Sequence, residues 1–246
     1  MCSSDLPPVA PFAYPDQPGY LLAYDAIVHI LARPDQNISK ALADLASALS
    51  APEVAVCRRE TDAAPASGAI EREAFTRVLA RLLPENAVVV DESVSYGRGF
   101  FAGLADAAPH DYLQITGGAI GSGMPMATGA AVARPASRIV SLQSDGAAMY
   151  SVQALWTQAR EKLKVTTVIL SNRKYAILLG ELENVGAKLG KVALDMLNIG
   201  DPDIGWVALA KSLGVDAGRA ETIEAFIELF KASIEIDGPY LIELVI

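Results

Sequence analysis

The sequence predicts an α/β fold with a doubly wound, mostly parallel sheet, because short apolar segments alternate with amphipathic ones along most of the chain. The clearest unit begins with an apolar segment over Ile139 to Leu142 and ends with another over Val165 to Leu170. Between them, a helical spacing places one buried face on Val152, Leu155, Trp156, Ala159 and Leu163. Parallel strands require a crossover of about a dozen residues or more, so these two strands are expected to lie side by side.

Composition sets limits on the class of protein. The chain has 246 residues, of which 52% are hydrophobic and 20% charged, which suffices for one large or two small domains with a sizeable core. The net charge of −9 argues against nucleic acid and anionic membranes as partners. Cys2 and Cys57 show no metal-site or disulfide spacing, which favours a reducing, cytoplasmic location. No apolar segment approaches the ~18 residues of a transmembrane helix.

The first part of the chain predicts only a small strand and helix unit. A strand is expected over Ala23 to Leu31 and an amphipathic helix over Asn37 to Leu49, too little to bury a core of its own. Glu60 to Gly68 has the composition of a linker. We therefore expect a partial domain over residues 1–59, a linker over 60–69 and a complete domain over 70–246.

The remaining elements of the complete domain follow from the same two patterns. Helices are predicted over Glu71 to Leu83, at Ala127 to Ala133, over Trp206 to Leu213 and from Ile223 to Ile234. Strands are predicted over Ala87 to Val90, over Tyr112 to Ile115, from Val215 and over Tyr240 to Ile246. Between Tyr175 and Gly205 the sequence predicts no regular element.

Polar residues follow the two central strands at the points where they end. Asp145 and Gly146 follow the first strand and Asn172 follows the second, so both side chains are expected at the carboxyl edge, where open α/β sheets bind ligands. A carboxylate, an amide oxygen and a free backbone carbonyl just after Asn172 suit Mg²⁺. Gly146 permits close approach of a backbone, and a helix that begins there would present its N–H groups and positive dipole end. The pattern therefore favours a diphosphate bridged by Mg²⁺.

Asp-Gly followed by Asn172, with 25 residues between Gly146 and Asn172, resembles the GDG…N motif of thiamine diphosphate (ThDP) enzymes. The segments MYSVQALWTQARE and ITGGAIGSGMP are similar to the acetolactate synthase and benzoylformate decarboxylase branch. Asp-Gly alone predicts only a turn, whereas its register on a strand, helix and strand favours the motif. The resemblance implies ThDP and Mg²⁺ as cofactors, with Asp145, Asn172 and the carbonyl of Lys174 as metal ligands.

The motif departs from the family pattern at three positions, with Ser144 for the first glycine, Ala147 for the following serine and Ser171 for the first asparagine. None of these changes removes an oxygen of the metal site. Gly146 and Ala147 remain cofactor-binding candidates, and Tyr175 is either a cofactor contact or a core residue.

The resemblance also assigns roles to two other segments. In the glycine-rich stretch Gly117 to Gly123, which accommodates no GxGxxG fingerprint, Gly118, Ala119 and Ile120 are expected at the cofactor. The carbonyl of Gly118 would accept a hydrogen bond from the aminopyrimidine, and Ile120 would support the bent cofactor. A flexible loop with close helix packing is the alternative. Val94 and Ser95 are expected at the diphosphate, although Ser95 could instead cap a helix. The segment after Asn172 borders the substrate pocket, which suggests Ile177, Leu178 and Glu181.

These residues imply the C-terminal, diphosphate-binding portion of a ThDP-dependent 2-oxo acid decarboxylase or carboligase. No catalytic residue is expected in this chain, because the activating glutamate belongs to a pyrimidine-binding domain that nothing here resembles. That domain would come from a preceding region or another chain, and the complete enzyme is expected to be a homodimer or homotetramer. Three alternatives remain, namely a benzoylformate decarboxylase-like enzyme that does not ligate, a dinucleotide-dependent oxidoreductase and a non-catalytic nucleotide-binding module.

Overall fold

The computed structural model of the chain describes residues 30–33, 35–51, 67–188 and 190–246. The chain divides into two compact units, Met1–Val56 and Cys57–Ile246. In the first, helix α1 (Ile38–Ala48) begins after Asn37, whose side chain accepts a hydrogen bond from the N–H of Lys40, as expected of an N-cap. The strand predicted over Ala23 to Leu31 lies almost entirely outside the described residues, as does most of the predicted linker. The partition at 59 and 69 stays a prediction.

The second unit is built on a six-stranded parallel sheet with the order β2-β1-β3-β4-β6-β5. In chain order, its strands are β1 (Ala87–Glu92), β2 (His110–Gln114), β3 (Ile139–Ser144), β4 (Val165–Ser171), β5 (Asp216–Ala220) and β6 (Tyr240–Val245). The described neighbouring strands all pair in parallel, which confirms the predicted fold class.

Nine helices lie in the described part of this unit, the first of them before β1 and the others between strands. They are α2 (Arg72–Leu82), α3 (Phe100–Gly103), α4 (Gly123–Ala133), α5 (Asp145–Ala148), α6 (Ala154–Arg160), α7 (Ala176–Asn184), α8 (Lys191–Leu197), α9 (Trp206–Ser212) and α10 (Ile223–Glu235). In the described ranges, no helix has both the length and the apolarity that crossing a membrane would require.

Successive side chains of the buried strands point to opposite faces of the sheet and pack into two hydrophobic layers, one on each face. On one face, Phe75 of α2 and Phe226 of α10 pack with Leu142. On the other, Leu155 of α6 and Trp206 of α9 pack with Ile169. Because strands covered on both faces are apolar throughout, β3 and β4 were predictable as continuous apolar segments.

The connection between β3 and β4 differs from the prediction. The chain forms one short turn of helix, α5, and a second helix begins only at Ala154, so Val152 lies outside it. Leu155 and Gln158 form the buried side of α6, and Trp156 is 52% exposed with the guanidinium of Arg160 above its ring, 5.5 Å from the centroid. The prediction that Trp156 is buried is therefore wrong, because the shorter helix turns a different side towards the sheet.

Two further boundaries differ in ways that affect the site. Strand β1 extends through Asp91 and Glu92, both of which are buried, instead of ending at Val90. Helices α7 and α8 occupy parts of the stretch between Tyr175 and Gly205, in which no element was predicted. Neither α7 nor α8 contains a buried residue, so the core provides no apolar stripe from which they could be recognised.

A buried arginine ties the start of β3 to the end of α10. The guanidinium of Arg138 donates hydrogen bonds to the carbonyl oxygens of Ile234 (2.9 Å), Ile236 (2.5 Å) and Gly238 (3.0 Å). These carbonyls lie in the last turn of α10 and just after it, where a helix leaves acceptors without partners of its own. Arg138 therefore caps this helix from outside it.

Candidate functional site

The ends of β3 and β4 bring the two predicted metal ligands together. Ser144 of β3 pairs with Leu170 of β4, so Asp145 and Asn172 follow adjacent strands at the carboxyl edge. The backbone N–H of Arg173 donates to Oδ2 of Asp145 over 2.6 Å, which joins the two strand ends directly. The predicted proximity of the two strand ends is confirmed.

A cleft of about 380 Å³, including the part open to solvent, lies at this edge. Its lining comes from four segments that are distant in sequence. They are Val94 and Ser95; Ile120; Ser144, Asp145, Gly146 and Ala147 after β3; and Asn172, Lys174, Tyr175, Ala176 and Ile177 after β4. Gly118, Ala119, Leu178 and Glu181, also proposed from the sequence, are not among the lining residues. The structure therefore gathers most of the predicted site residues around one opening.

Asp145 is a buried carboxylate whose hydrogen-bond partners are backbone groups. It is 2% exposed, and its oxygens accept hydrogen bonds from the N–H groups of Gly146 (2.8 Å) and Arg173. Burial raises the pKa of Asp145 above its ordinary value, and the backbone donors only partly oppose this. Within the described residues, no lysine or arginine forms an ion pair with it. A buried charge normally has a charged partner or a metal ion, so this site lacks a positive charge that Mg²⁺ would supply.

The remaining ligand candidates are oxygens with one hydrogen bond each. Oδ1 of Asn172 accepts from the N–H of Lys174 (3.0 Å), and the carbonyl of Lys174 accepts from the N–H of Ala176 (2.9 Å). The expectation of a free carbonyl after Asn172 is therefore wrong, although each oxygen keeps a second lone pair. In the described part of the chain, no three histidine, cysteine or acidic residues cluster. One carboxylate with neutral oxygens fits Mg²⁺, which takes its other ligands from water and substrate phosphates.

The backbone around Gly146 differs from the predicted helix terminus. Helix α5 has only four residues, so it cannot provide the dipole of a longer helix. Gly146 is required for another reason, since a Cβ at this position would lie 2.6 Å from Cε1 of Tyr175. The tyrosine ring therefore lies against the bare backbone of Gly146 at the wall of the cleft.

Another segment of the cleft lining contains a strained residue. Val94 has a φ of +51°, which is unfavourable for a β-branched side chain and occurs mainly at functional sites. Ser95 lies in the following turn, and α3 begins only at Phe100, so the alternative interpretation of Ser95 as a helix cap is wrong. Both residues line the cleft together with Asp145.

The glycine loop, residues Thr116 to Gly123, covers Glu92, the last residue of β1. Glu92 does not line the cleft. It is 0% exposed, with Oε1 and Oε2 accepting hydrogen bonds from the N–H groups of Gly121 and Gly123. Burial raises the pKa of Glu92, while these donors act in the opposite direction. The sequence does contain a signal for this contact, namely an acidic residue at the end of an otherwise apolar strand. A carboxylate that is buried there requires hydrogen-bond donors.

Helices α7 and α8 belong to a segment whose two ends both lie beside the metal-ligand candidates. The N–H of Tyr175 donates to the carbonyl of Leu197 (2.9 Å), and the N–H of Ile199 donates to the carbonyl of Arg173 (3.0 Å). The chain between these contacts therefore forms an excursion, residues 176–197, that is closed at the edge of the cleft. Ile177 is the only one of the three substrate candidates that lines the cleft.

Comparison with known proteins identifies what this arrangement resembles. Residues 101–244 match the family described as thiamine pyrophosphate enzyme, C-terminal TPP binding domain. The chain is 43% identical over 241 residues to IlvX of Mycobacterium tuberculosis, provisionally named an acetolactate synthase large subunit, covering 97% of this chain and 47% of that protein. It is 31% identical over 180 residues to benzoylformate decarboxylase of Pseudomonas aeruginosa, covering 72% of this chain and 32% of that enzyme.

A solved structure agrees with these matches. The ThDP-dependent 4-hydroxybenzoylformate decarboxylase of Rhodococcus jostii RHA1 superposes with a TM-score of 0.62 at 29% identity, over 74% of this chain and 33% of that one. The chain thus spans about half or less of the length of these relatives. The matches confirm the family and the ThDP cofactor that the motif predicted.

Proposed function

Because the chain belongs to the thiamine pyrophosphate enzymes through their C-terminal TPP-binding domain, we propose that it is the cofactor-binding portion of an acetolactate synthase-like decarboxylase or carboligase of 2-oxo acids. Residues 1–59 are proposed to be the tail of the middle domain of such an enzyme. The observation that supports this function most directly is the cleft at the carboxyl edge, where the buried carboxylate of Asp145 lies near Asn172 and is held only by backbone N–H groups. The likeness to IlvX favours the acetolactate synthase side of the family.

We assign the residues of the cleft by their position and chemistry. Asp145, Asn172 and the carbonyl of Lys174 would hold Mg²⁺, and Val94, Ser95, Gly146 and Ala147 would face the diphosphate. Ile120 and Tyr175 would face the rings, while Gly118 and Ala119, which are not among the lining residues, remain cofactor candidates from the resemblance alone. Bound ThDP supplies an electron sink for breaking or forming a carbon–carbon bond, while the protein binds, orients and excludes water.

The proposed chemistry requires a second carboxylate, which the described residues of the cleft do not supply. Asp145 is the only carboxyl group among the lining residues, and it is assigned to the metal. The carboxylate that activates the pyrimidine is therefore proposed to come from a pyrimidine-binding domain, in a homo-oligomer located in the cytoplasm. A small 2-oxo acid would enter next to Ile177, with Leu178 and Glu181 further along the same helix.

The second candidate is a benzoylformate decarboxylase-like activity without ligation. The Pseudomonas relative and the Rhodococcus protein of known structure are both named as decarboxylases. Pyruvate and benzoylformate separate the two candidates. A carboligase would convert pyruvate into acetolactate, whereas the decarboxylase would release benzaldehyde from benzoylformate.

The binding experiment is a calorimetric titration of the chain with ThDP in the presence and absence of Mg²⁺, with NAD as the control ligand. We expect binding that requires Mg²⁺ and no measurable binding of NAD. A preference for NAD would support a dinucleotide-dependent enzyme and contradict the assignment of the cleft.

The activity experiment compares the chain alone with the chain mixed with a separately expressed pyrimidine-binding domain. We expect turnover only in the mixture, because losing general acid–base assistance typically lowers rates by ~10²–10⁴-fold. Robust turnover by the chain alone would show that the activating carboxylate lies in this chain. Binding of ThDP without turnover in any mixture would favour a non-catalytic binding module.

A further inference from the structure

Glu92 ends strand β1 beneath the glycine loop, and all of its contacts with that loop are to backbone. Oε1 accepts from the N–H of Gly121 over 2.5 Å and Oε2 from the N–H of Gly123 over 2.9 Å. In the described structure, no lysine or arginine forms an ion pair with Glu92. Its charge is therefore compensated by peptide dipoles that belong to the loop.

The two glycines fit this carboxylate closely. A Cβ at Gly123 would lie 2.6 Å from Oε2 of Glu92 and 2.5 Å from Nε2 of Gln143. Gly121 has a φ of +90°, and a Cβ there would lie 2.6 Å from Cβ of Tyr150. The Glu92 carboxylate therefore leaves no room for a side chain at Gly123, whereas Gly121 is required by its positive φ and by the nearby Tyr150.

Ile120 immediately precedes the first of these anchored glycines. It lines the cleft and is 42% exposed, so packing alone holds it weakly. Its own N–H donates to the carbonyl of Gly118 (2.9 Å), which keeps the turn compact but does not fix it to the sheet. The attachment to the sheet is provided by Glu92, through the next residue in the chain.

This geometry excludes two other roles for Glu92. Both of its oxygens are engaged by N–H groups, and it lies outside the cleft lining, so it cannot exchange a proton with a ligand there. It also cannot contact a diphosphate bound at Asp145 from beneath the loop. What remains is an effect exerted through the loop.

We propose that Glu92 is a positioning residue, which fixes the glycine loop to β1 and thereby holds Ile120 at the cleft where the cofactor rings would lie. This rests on the proposed function, because Ile120 matters for chemistry only if ThDP occupies the cleft. The positioning itself does not depend on any ligand, and it is measured separately.

The test uses Glu92→Gln in the full chain, because glutamine preserves the shape but keeps only one acceptor oxygen and directs an NH₂ group at the other N–H. Glu243→Gln is the matched control. Glu243 is also a buried carboxyl on a strand, 2% exposed, but its partner is Arg219 of β5 (3.7 Å). Glu92→Asp keeps the charge with a shorter reach and tests for partial rescue.

Amide hydrogen exchange measured by NMR gives the first result. In the wild type, we expect Gly121 and Gly123 to be protected. In Glu92→Gln, we expect roughly 10- to 100-fold faster exchange at these amides, the factor that corresponds to a hydrogen bond to a charged group. Glu92→Asp should lie between them, and Glu243→Gln should leave both amides unchanged. Rapid exchange in the wild type, or unchanged exchange in Glu92→Gln, would overturn the proposal.

Affinity for two ligands gives the second result. Inorganic diphosphate with Mg²⁺ probes the edge at Asp145, whereas ThDP also reaches Ile120. We expect Glu92→Gln to weaken ThDP binding several-fold and to leave diphosphate binding unchanged, a split that general destabilisation would not produce. Equal weakening of both ligands would contradict positioning through Ile120. If the wild type binds neither ligand, the proposed function fails, while the exchange rates still decide the role of Glu92.

Discussion

Asp145 provides the sharpest test of the site, because among the residues that the structure describes it is the only one that brings a carboxyl group to the cleft. Its replacement by asparagine keeps the shape and one acceptor oxygen for the N–H groups of Gly146 and Arg173, but it removes the charge that would bind Mg²⁺. The expected loss is therefore in metal-dependent binding, with a small effect on the fold.

The size of the effect follows from linkage. A ligand at 100 times its Kd stabilises the native state by about 2.7 kcal/mol. For a unit of the size of Cys57–Ile246, 1 kcal/mol shifts Tm by about 2–4 °C. Saturating ThDP with Mg²⁺ should therefore raise Tm of the wild type by about 5–11 °C. In Asp145→Asn at the same concentrations, we expect a shift below about 1 °C.

Thermal unfolding followed by circular dichroism, with Mg²⁺ alone, ThDP alone and both together, measures these shifts. Asp203→Asn is the control, since Asp203 pairs with Arg173 (3.0 Å) near the same loop but does not line the cleft, and it should keep the full ligand-induced shift. An undiminished shift in Asp145→Asn would refute the metal-site assignment. A shift produced by ThDP without Mg²⁺ would refute the need for the metal.

Three further predictions concern other parts of the unit. Arg138→Lys should lower the free energy of unfolding by about 2–4 kcal/mol in chemical denaturation, because one ammonium cannot replace a guanidinium shared by three carbonyls. The control Arg134→Lys changes an exposed arginine and should lower it by less than about 1 kcal/mol. Similar losses in the two variants would argue against the capping role of Arg138. Gly146→Ala should weaken ThDP binding by about tenfold or more, because its Cβ would collide with the tyrosine ring at the wall of the cleft. Gly180→Ala, with open space around it, should leave binding unchanged, and equal effects at the two glycines would contradict this reasoning. In a complete enzyme, Ile120→Gly should slow proton exchange at the thiazolium carbon more than it weakens ThDP binding. NMR would measure the exchange rate of this proton. Weaker ThDP binding with a normal exchange rate per bound cofactor would contradict the role of Ile120.

The features that the sequence predicted well are those that depend on local pattern. The continuous apolar segments of β3 and β4 predicted buried parallel strands, and their connection by a crossover placed Asp145 and Asn172 at one edge. The motif then identified the cofactor because its spacing is tied to that same unit. Both inferences required only residues close in sequence.

The features that were missed depend on contacts between distant segments. The position of Glu92 is determined by N–H groups that lie 29 and 31 residues away, and no periodicity in β1 reports them. Trp156 has the spacing of a buried residue, but the break after α5 rotates α6 so that Gln158 is buried instead. A helical pattern defines which residues share a face, whereas the packing partner decides which face is buried.

The excursion of residues 176–197 has a consequence for how the family can diversify. Its helices bury no residue, while its two ends are joined by the paired backbones of Arg173 to Tyr175 and Leu197 to Ile199. Substitutions between these ends therefore change the rim of the cleft without disturbing the sheet or the metal-ligand candidates. Lengthening such a closed loop costs little, about 0.6 kcal/mol for each doubling. Under the proposed function, replacing this one segment is expected to change substrate preference at little cost to folding.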